Sequence, residues 1–496
     1  MKTYHKILSL SIITVAGIVS CRPKTDVPTP SAGGTIDVSK YVAIGNSITS
    51  GFADAALYRE GQEVSYPNLL AQQFKMIGGG NFVQPLTPAG SVGIGSTGNA
   101  KLILSIVKGA LSPVPAASSG DMSIWTTSVA ANGPFNNMGV PGAKAITTVY
   151  PGYGNPANGT GNYNPFFTRM TANPATASIL GDAMAQKPTF FSMFIGNNDV
   201  LAYALAGGAS DAITPIANFS ASIDAIVGGM MATAKSGVVA NIPDITSLPF
   251  FTIVPYNPVP LDAASVTNLN TQIFGPLNKI LGALGQADRF TTLTTTQNPV
   301  LIKDESLPDM AQAFTQALTT AGVSAQQAAL MGMLFGQARH ATANDLILLS
   351  TSSVIGTAPS SPLAASPFNI YGVTYPLEDA MALRGKFGTQ TTSEVDSVKN
   401  ATAAYNTKLK AVADAQGLAF VDVAAFMQQA KSGIVYNGRT VSATFVTGGA
   451  FSLDGIHLTP LGNALLANEF IKSINSKYGS TIPQIDASRY PGVKFP

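Results

Sequence analysis

The chain has 496 residues, of which 46% are hydrophobic and only 11% charged; this supports a large core and excludes a disordered polyelectrolyte. Its formal net charge is +2, from 28 basic and 26 acidic residues, without a Lys/Arg cluster. Nucleic acid is therefore not an expected partner, because that binding rests on neutralising phosphates, and a single cysteine excludes an intrachain disulfide.

The first segment reads as an export signal. Lys2 and Lys6 precede a 14-residue apolar run, ILSLSIITVAGIVS, too short to cross a bilayer core of about 30 Å as a helix. The run ends at Cys21, and IVSC is similar to the lipobox of bacterial lipoproteins. That resemblance implies removal of residues 1–20, lipidation of Cys21, and an exported protein anchored at the outer membrane, cell surface or periplasmic face. Cleavage removes two lysines and no acids, leaving 26 charges of each sign. Residues 21–38, with the stretch RPKTDVPTPSAGG, are expected to form a flexible tether.

YVAIGNSITSGF, residues 41–52, begins as an apolar strand and breaks into small polar residues. Ser47, between Gly45 and Gly51, reads three ways: as a cap of the next helix, as part of an ordinary turn, or as a nucleophile at a strand end. Residues 40–46, 188–196, 237–245 and 417–426 are predicted strands, and their near-continuous apolar character suits burial on both faces of a parallel sheet. Helical spacing falls between and after them, in YPNLLAQQFKMI, NFSASIDAIVGGMMATAKS, SEVDSVKNATAAYNTKLKAVADAQ and TPLGNALLANEFIKSINSKY. This alternation predicts a three-layer α/β sandwich on a central parallel sheet, with ligands at the carboxyl ends of the strands, where Ser47 lies.

Two stretches interrupt the alternation. Residues 80–140 are rich in Gly, Pro and Ser, with a hairpin predicted in AKLILSIVKGALSPVP. Residues 257–375 read as a mostly helical insertion and a candidate lid. The core then divides into residues 39–256 and 376–480, followed by a C-terminal tail, 481–496.

Histidine is scarce. With His5 in the signal, His340 and His457 are the only candidates for a histidine base, which excludes a site of three histidines, and there is no HExxH; a serine–histidine mechanism would need neither a metal nor an organic cofactor. His340, in SAQQAALMGMLFGQARHAT, reads as a packed or partly exposed helix residue. His457, in FSLDGIHLTPLGNALLANEF, follows Asp454 by three positions. In a turn, that spacing brings a carboxylate to one ring nitrogen and leaves the other as a base. The plainer reading makes Asp454 and Thr459 turn and cap residues. MFIGNND ends another strand with the amide of Asn198, and NNMGVPGAK places Gly139 in a tight loop able to present a backbone N–H. GIGSTG, residues 93–98, fits G-x-G-x-x-G but leads into strand-like AKLILSIV, the wrong context for a dinucleotide site.

In this order and at these strand ends, the blocks resemble the SGNH (GDSL-type) esterases and lipases, over roughly residues 39–256 and 376–480. GNSI matches the nucleophile block, Gly139 the glycine block, GNND the G-x-N-D block and DGIH the D-x-x-H block. The resemblance implies a flavodoxin-like α/β/α fold and a triad of Ser47, His457 and Asp454. It also implies an oxyanion hole from the Ser47 and Gly139 N–H groups and the Asn198 side chain, and a small-molecule, lipid or carbohydrate ester as substrate. Asn46 departs from the family, which usually has Asp there. Two other readings stay open, a surface lipoprotein that binds glycan or lipid without turnover and an acyltransferase using the same triad. Met331, Met333, Leu334 and Phe335 of the insertion line an acyl pocket or form the insertion's own core. Oligomeric state is not legible.

Overall fold

A computed structural model of the chain describes residues 29–107, 109–364 and 366–496. The expected export signal and Cys21, the expected lipidation site, lie outside the described residues. Strands β1 (Tyr41–Gly45), β2 (Asn137–Gly139), β3 (Phe190–Phe194), β4 (Ser236–Ala240) and β5 (Ala419–Val421) form one sheet in the order β5-β4-β3-β1-β2. Every pairing is parallel. The 2-1-3-4-5 order is that of doubly wound sheets, whose ligand crevice opens where the order reverses, here between β1 and β3. β1 and β3 are buried along their whole length, which is why their sequences are apolar without alternation. Phe190, Phe191 and Phe194 are fully buried, each adding on the order of 2–3 kcal/mol of hydrophobic stabilisation.

The helices that position the site are α1 (Ser47–Ser50), α2 (Tyr66–Phe74), α3 (Ile179–Ala185), α4 (Asn198–Leu205), α5 (Ile216–Met231), α6 (Glu394–Ala415), α7 (Val423–Ser432) and α8 (Pro460–Tyr478). On one face α2 and α8 pack together, with Tyr66 stacked on Phe470 at 4.5 Å between centroids, and with Phe74 and Tyr478 against Phe190. On the other, α3, α5 and α6 pack together, with Phe219 stacked on Tyr405 at 3.9 Å. The architecture is a mixed α/β one compatible with an α/β sandwich.

Several sequence-based boundaries move. Residues 417–426 are not one strand: β5 stops at Val421, and Asp422 caps α7 by accepting from the Ala425 N–H at 3.0 Å. β2 lies inside the stretch read as insertion, and its three residues, Asn137, Met138 and Gly139, none of them β-branched, carry too little pattern to be noticed. The hairpin in that stretch is present, pairing Leu102–Val107 with Ala110–Pro115. The expected tether is docked from Thr29 onward. Ile36 and Val38 are buried, Thr35 donates to the Tyr478 carbonyl at 2.7 Å, and the Thr481 hydroxyl donates to the Thr29 carbonyl at 2.8 Å. The tail is docked too: Asn468 bonds both backbone groups of Ile485, at 2.7 and 2.9 Å.

The insertion has its own hydrophobic core, running from Val254 to Ala382 and so slightly wider than 257–375. Met331, Leu334 and Phe335 belong to it, and Met333 is exposed. His340 is not on a helix. The helix ends at Phe335, and Ala338–His340 pairs with Leu301–Lys303 as a short antiparallel strand. Beside it Arg339 is fully buried and paired with Asp304 at 2.6 Å and Asp345 at 2.7 Å, an ion cluster that needs all its members to be tolerated in an apolar core.

Candidate active site

β1 delivers Ser47 to the carboxyl edge of the sheet. A Cβ on Gly45 would stand 2.7 Å from the Phe194 carbonyl and collide with Thr49, so only glycine lets the chain turn so sharply into α1 beside β3. The cap of α1 is Asn46, whose Oδ1 accepts from the Ile48 N–H at 3.2 Å; its Nδ2 is buried without a partner. Ser47 is therefore not the cap. It is the first helical residue, its backbone N–H has no hydrogen-bond partner among the described residues, and its hydroxyl is free for another contact.

That contact comes from a residue 410 positions away: His457 Nε2 lies 2.8 Å from Ser47 Oγ, and His457 Nδ1 lies 2.8 Å from Asp454 Oδ2. The loop Ser452–His457 holds this line just before α8, whose cap is Thr459, bonded to the Gly462 N–H at 3.0 Å. Thr459 thus has the plain capping role, while Asp454 does more than shape a turn. Besides the imidazole, its carboxylate accepts from Ala55 N, Ile456 N and His457 N at 2.8, 2.9 and 2.8 Å and from the Ser452 hydroxyl at 3.0 Å. Burial alone would raise the pKa of Asp454. The His457 ring, followed by the backbone donors, outweighs it and holds the carboxyl well below the usual range. The Phe52 ring packs against the imidazole, 4.9 Å between centroids.

Asn198 starts α4 at the end of β3. Its Nδ2 donates to the Ala143 carbonyl at 2.9 Å, and Asp199 Oδ2 accepts from the Ala145 N–H at 2.9 Å. This pair docks the loop 140–145 onto the end of β3. Burial pushes the Asp199 carboxyl up to about 6, against the pull of the Ala145 N–H and the Lys144 charge, and its Oδ1 has no partner.

Gly139 does not occupy the expected role. Its N–H is already spent on Asn137 Oδ1 at 3.0 Å, and it packs so tightly on α1 that a Cβ would lie 2.4 Å from Ser50 N. Glycine is required there for close approach. Three residues on, Gly142 is exposed, has φ +82°, and its N–H makes no hydrogen bond among the described residues. It adjoins Ala143, the residue that Asn198 holds. GVPG contains both glycines, and only an accounting of N–H partners tells them apart.

A small cavity of about 20 Å³ opens beside Ser47, His457, Asn46, Asn197 and Asn198, walled by Leu201, Ile245, Leu248, Met427 and Ile456. No described residue of 257–375 lines it. His340 is remote in function as well: its Nδ1 accepts from the Thr291 N–H at 2.8 Å and its ring packs against Phe274 and Phe290. GIGSTG is a loop, with Ile94 bridged to Leu57. Among the described residues no group of three or more His, Cys, Asp or Glu side chains is placed to hold a metal ion, and no helix is long and apolar enough to cross a membrane. No protein-family model and no curated protein matches this chain.

Proposed function

We propose that the chain is a serine ester hydrolase of the SGNH (GDSL-type) class with a flavodoxin-like α/β/α core. The observation that carries this reading is the unbroken line from Asp454 through His457 to Ser47, with both contacts at 2.8 Å, at the reversal point of a parallel sheet. Ser47 Oγ attacks the ester carbonyl as His457 Nε2 takes its proton, and the ester C–O bond breaks as His457 gives that proton to the leaving alcohol; water, deprotonated by the same nitrogen, then attacks the acyl carbon, and the acyl–Oγ bond breaks as His457 returns the proton to Ser47 and the acid leaves. Asp454 keeps the His457 proton on Nδ1 and balances the imidazolium. The Ser47 N–H, the Asn198 amide and, in place of Gly139, the Gly142 N–H are the donors for the oxyanion.

A cavity of about 20 Å³ is little more than one water needs, which favours an acetyl or similarly short acyl group. On p-nitrophenyl acetate, butyrate and octanoate, kcat/KM is expected to be highest for acetate and at least about tenfold lower for octanoate. A preference for octanoate contradicts the short-acyl reading, and failure on all three contradicts the hydrolase. Turnover that rises with an added alcohol and yields a new ester points to acyl transfer by the same triad.

Export with lipidation of Cys21 belongs to the same proposal. Residues 29–38 join the fold at the Tyr478 end of α8, about 28 Å of helix away from the His457 loop. The described chain therefore enters the fold at the end opposite the triad. Metabolic labelling with an alkynyl fatty acid is expected to mark the wild-type protein and not Cys21→Ser; equal labelling of both rejects this anchor.

A further inference from the structure

The segment Ala53–Ala56 folds back on itself. Ala53 and Ala56 exchange two backbone hydrogen bonds, of 3.1 and 3.0 Å, and leave Asp54 and Ala55 as a two-residue turn. Both have positive φ, 52° and 62°. This is the backbone of a type I′ turn, for which Asp is suited at the first position and glycine is the usual second residue. An alanine held there is strained, and such strain persists only where the surroundings over-determine it.

The surroundings are the acid of the triad. Asp54 N donates to Ser452 Oγ at 3.0 Å, and Ala55 N donates at 2.8 Å to Asp454 Oδ2, the oxygen that faces His457. The Ser452 hydroxyl passes on to the other oxygen, Asp454 Oδ1, at 3.0 Å. Asp54 closes the circuit, since its Oδ1 accepts from the Leu453 N–H at 3.0 Å and its Oδ2 accepts from the Tyr58 hydroxyl at 2.6 Å. Two successive N–H groups presented by a turn make a concavity suited to an anion. Here one N–H reaches the carboxylate directly and the other reaches it through Ser452. A turn that served only to reverse the chain would need neither the strain nor these bonds to a loop 399 positions away.

We propose that the Asp54–Ala55 turn, with Tyr58 and Ser452, is a positioning element that sets the orientation of the Asp454 carboxylate and through it the tautomer and aim of His457. The inference rests on the ester-hydrolase reading above. None of these residues touches the reacting atoms. The turn fixes which carboxylate oxygen faces the imidazole, and Ser452 fills the one that does not.

The full chain carrying Ser452→Ala, Ser452→Thr or Tyr58→Phe tests this. The readouts are turnover of p-nitrophenyl acetate and the second-order rate at which a fluorophosphonate probe labels Ser47 with loss of fluoride. In Ser452→Ala, kcat and the labelling rate are expected to fall about tenfold while KM stays within about twofold, because geometry at the base is lost and ground-state binding is not. Ser452→Thr keeps the hydroxyl and is expected to restore both rates; Tyr58→Phe is expected to fall between. A purely structural tie lowers Tm and leaves kcat and labelling at wild-type values, and that outcome overturns the proposal. Should Ser452→Ala fail to fold, Tyr58→Phe carries the same readouts. A wild-type protein that neither labels nor turns over sinks the hydrolase reading itself, whereas normal wild-type labelling with an unaffected Ser452→Ala sinks only this inference.

Discussion

His457 at the sheet edge and His340 in the insertion are both buried, and each has a Nδ1 partner at 2.8 Å, yet their surroundings assign them opposite chemistry. The Nδ1 of His457 meets a carboxylate, so it carries the proton and Nε2 is left basic toward Ser47. The Nδ1 of His340 meets the Thr291 N–H and must accept, which places the proton on Nε2 among aromatic rings. Burial pushes the His340 imidazole down to about 3. The partner at Nδ1 decides which ring nitrogen carries the proton, leaving the Nε2 of His457 able to accept from Ser47, while burial holds the His340 ring neutral.

Substitutions along the two constellations sharpen this contrast. His457→Ala removes the base, and ester turnover is expected to fall by on the order of 10⁶ in kcat; a loss of less than about tenfold assigns the base elsewhere. Asp454→Asn keeps the shape and inverts the hydrogen-bond demand at Nδ1, which makes the His457 site resemble that of His340. A loss of about 10⁴ in kcat is expected, and near-normal kcat would show that the partner at Nδ1 does not matter. Asn198→Ala is expected to cost about 10²–10³ in kcat with little change in KM, since the oxyanion forms chiefly in the transition state; an effect confined to KM reassigns Asn198 to substrate binding.

His340→Gln is the control arm. Turnover is expected to stay within about twofold of wild type, while the acid profile of stability changes. A histidine whose folded pKa is depressed to about 3 binds fewer protons than the unfolded chain below about 6.5, so its stabilising contribution erodes as pH falls from about 6.5 toward about 3. Over that window wild type is expected to lose on the order of a few kcal/mol that His340→Gln does not lose. Asp199, pushed up to about 6, acts in the other direction. It favours the folded state at low pH and costs stability as pH rises from about 4 to about 6. Urea titrations of both proteins at pH 4 and pH 7 measure the difference, and parallel profiles would contradict the buried neutral state of His340.

The parts of this arrangement that were legible in the sequence are those with a short, local signature. Four of the five core strands announce themselves as apolar runs, and Asp454 and His457 share one loop at a spacing that chemistry restricts. β2 escaped because three residues including Asn137 carry no period. α7 escaped because VDVAAF continues the apolar run, although Asp422 stands where a cap would. The docking of residues 29–38 rested on two apolar side chains, Ile36 and Val38, in a Pro- and Gly-rich stretch whose composition argued for a tether. The choice between Gly139 and Gly142 turns on which N–H is already bonded, a three-dimensional fact. The Asp54–Ala55 turn was invisible for the same reason, since nothing in ADAA requires left-handed backbone until the loop at 452–454 arrives against it.

The most direct measurement is fluorophosphonate labelling of the folded protein with the modified residue mapped by mass spectrometry. One adduct, on Ser47, is expected, present in wild type and in His340→Gln and absent in Ser47→Ala and His457→Ala. An unlabelled wild-type protein, or an adduct on another serine that survives Ser47→Ala, would contradict the account.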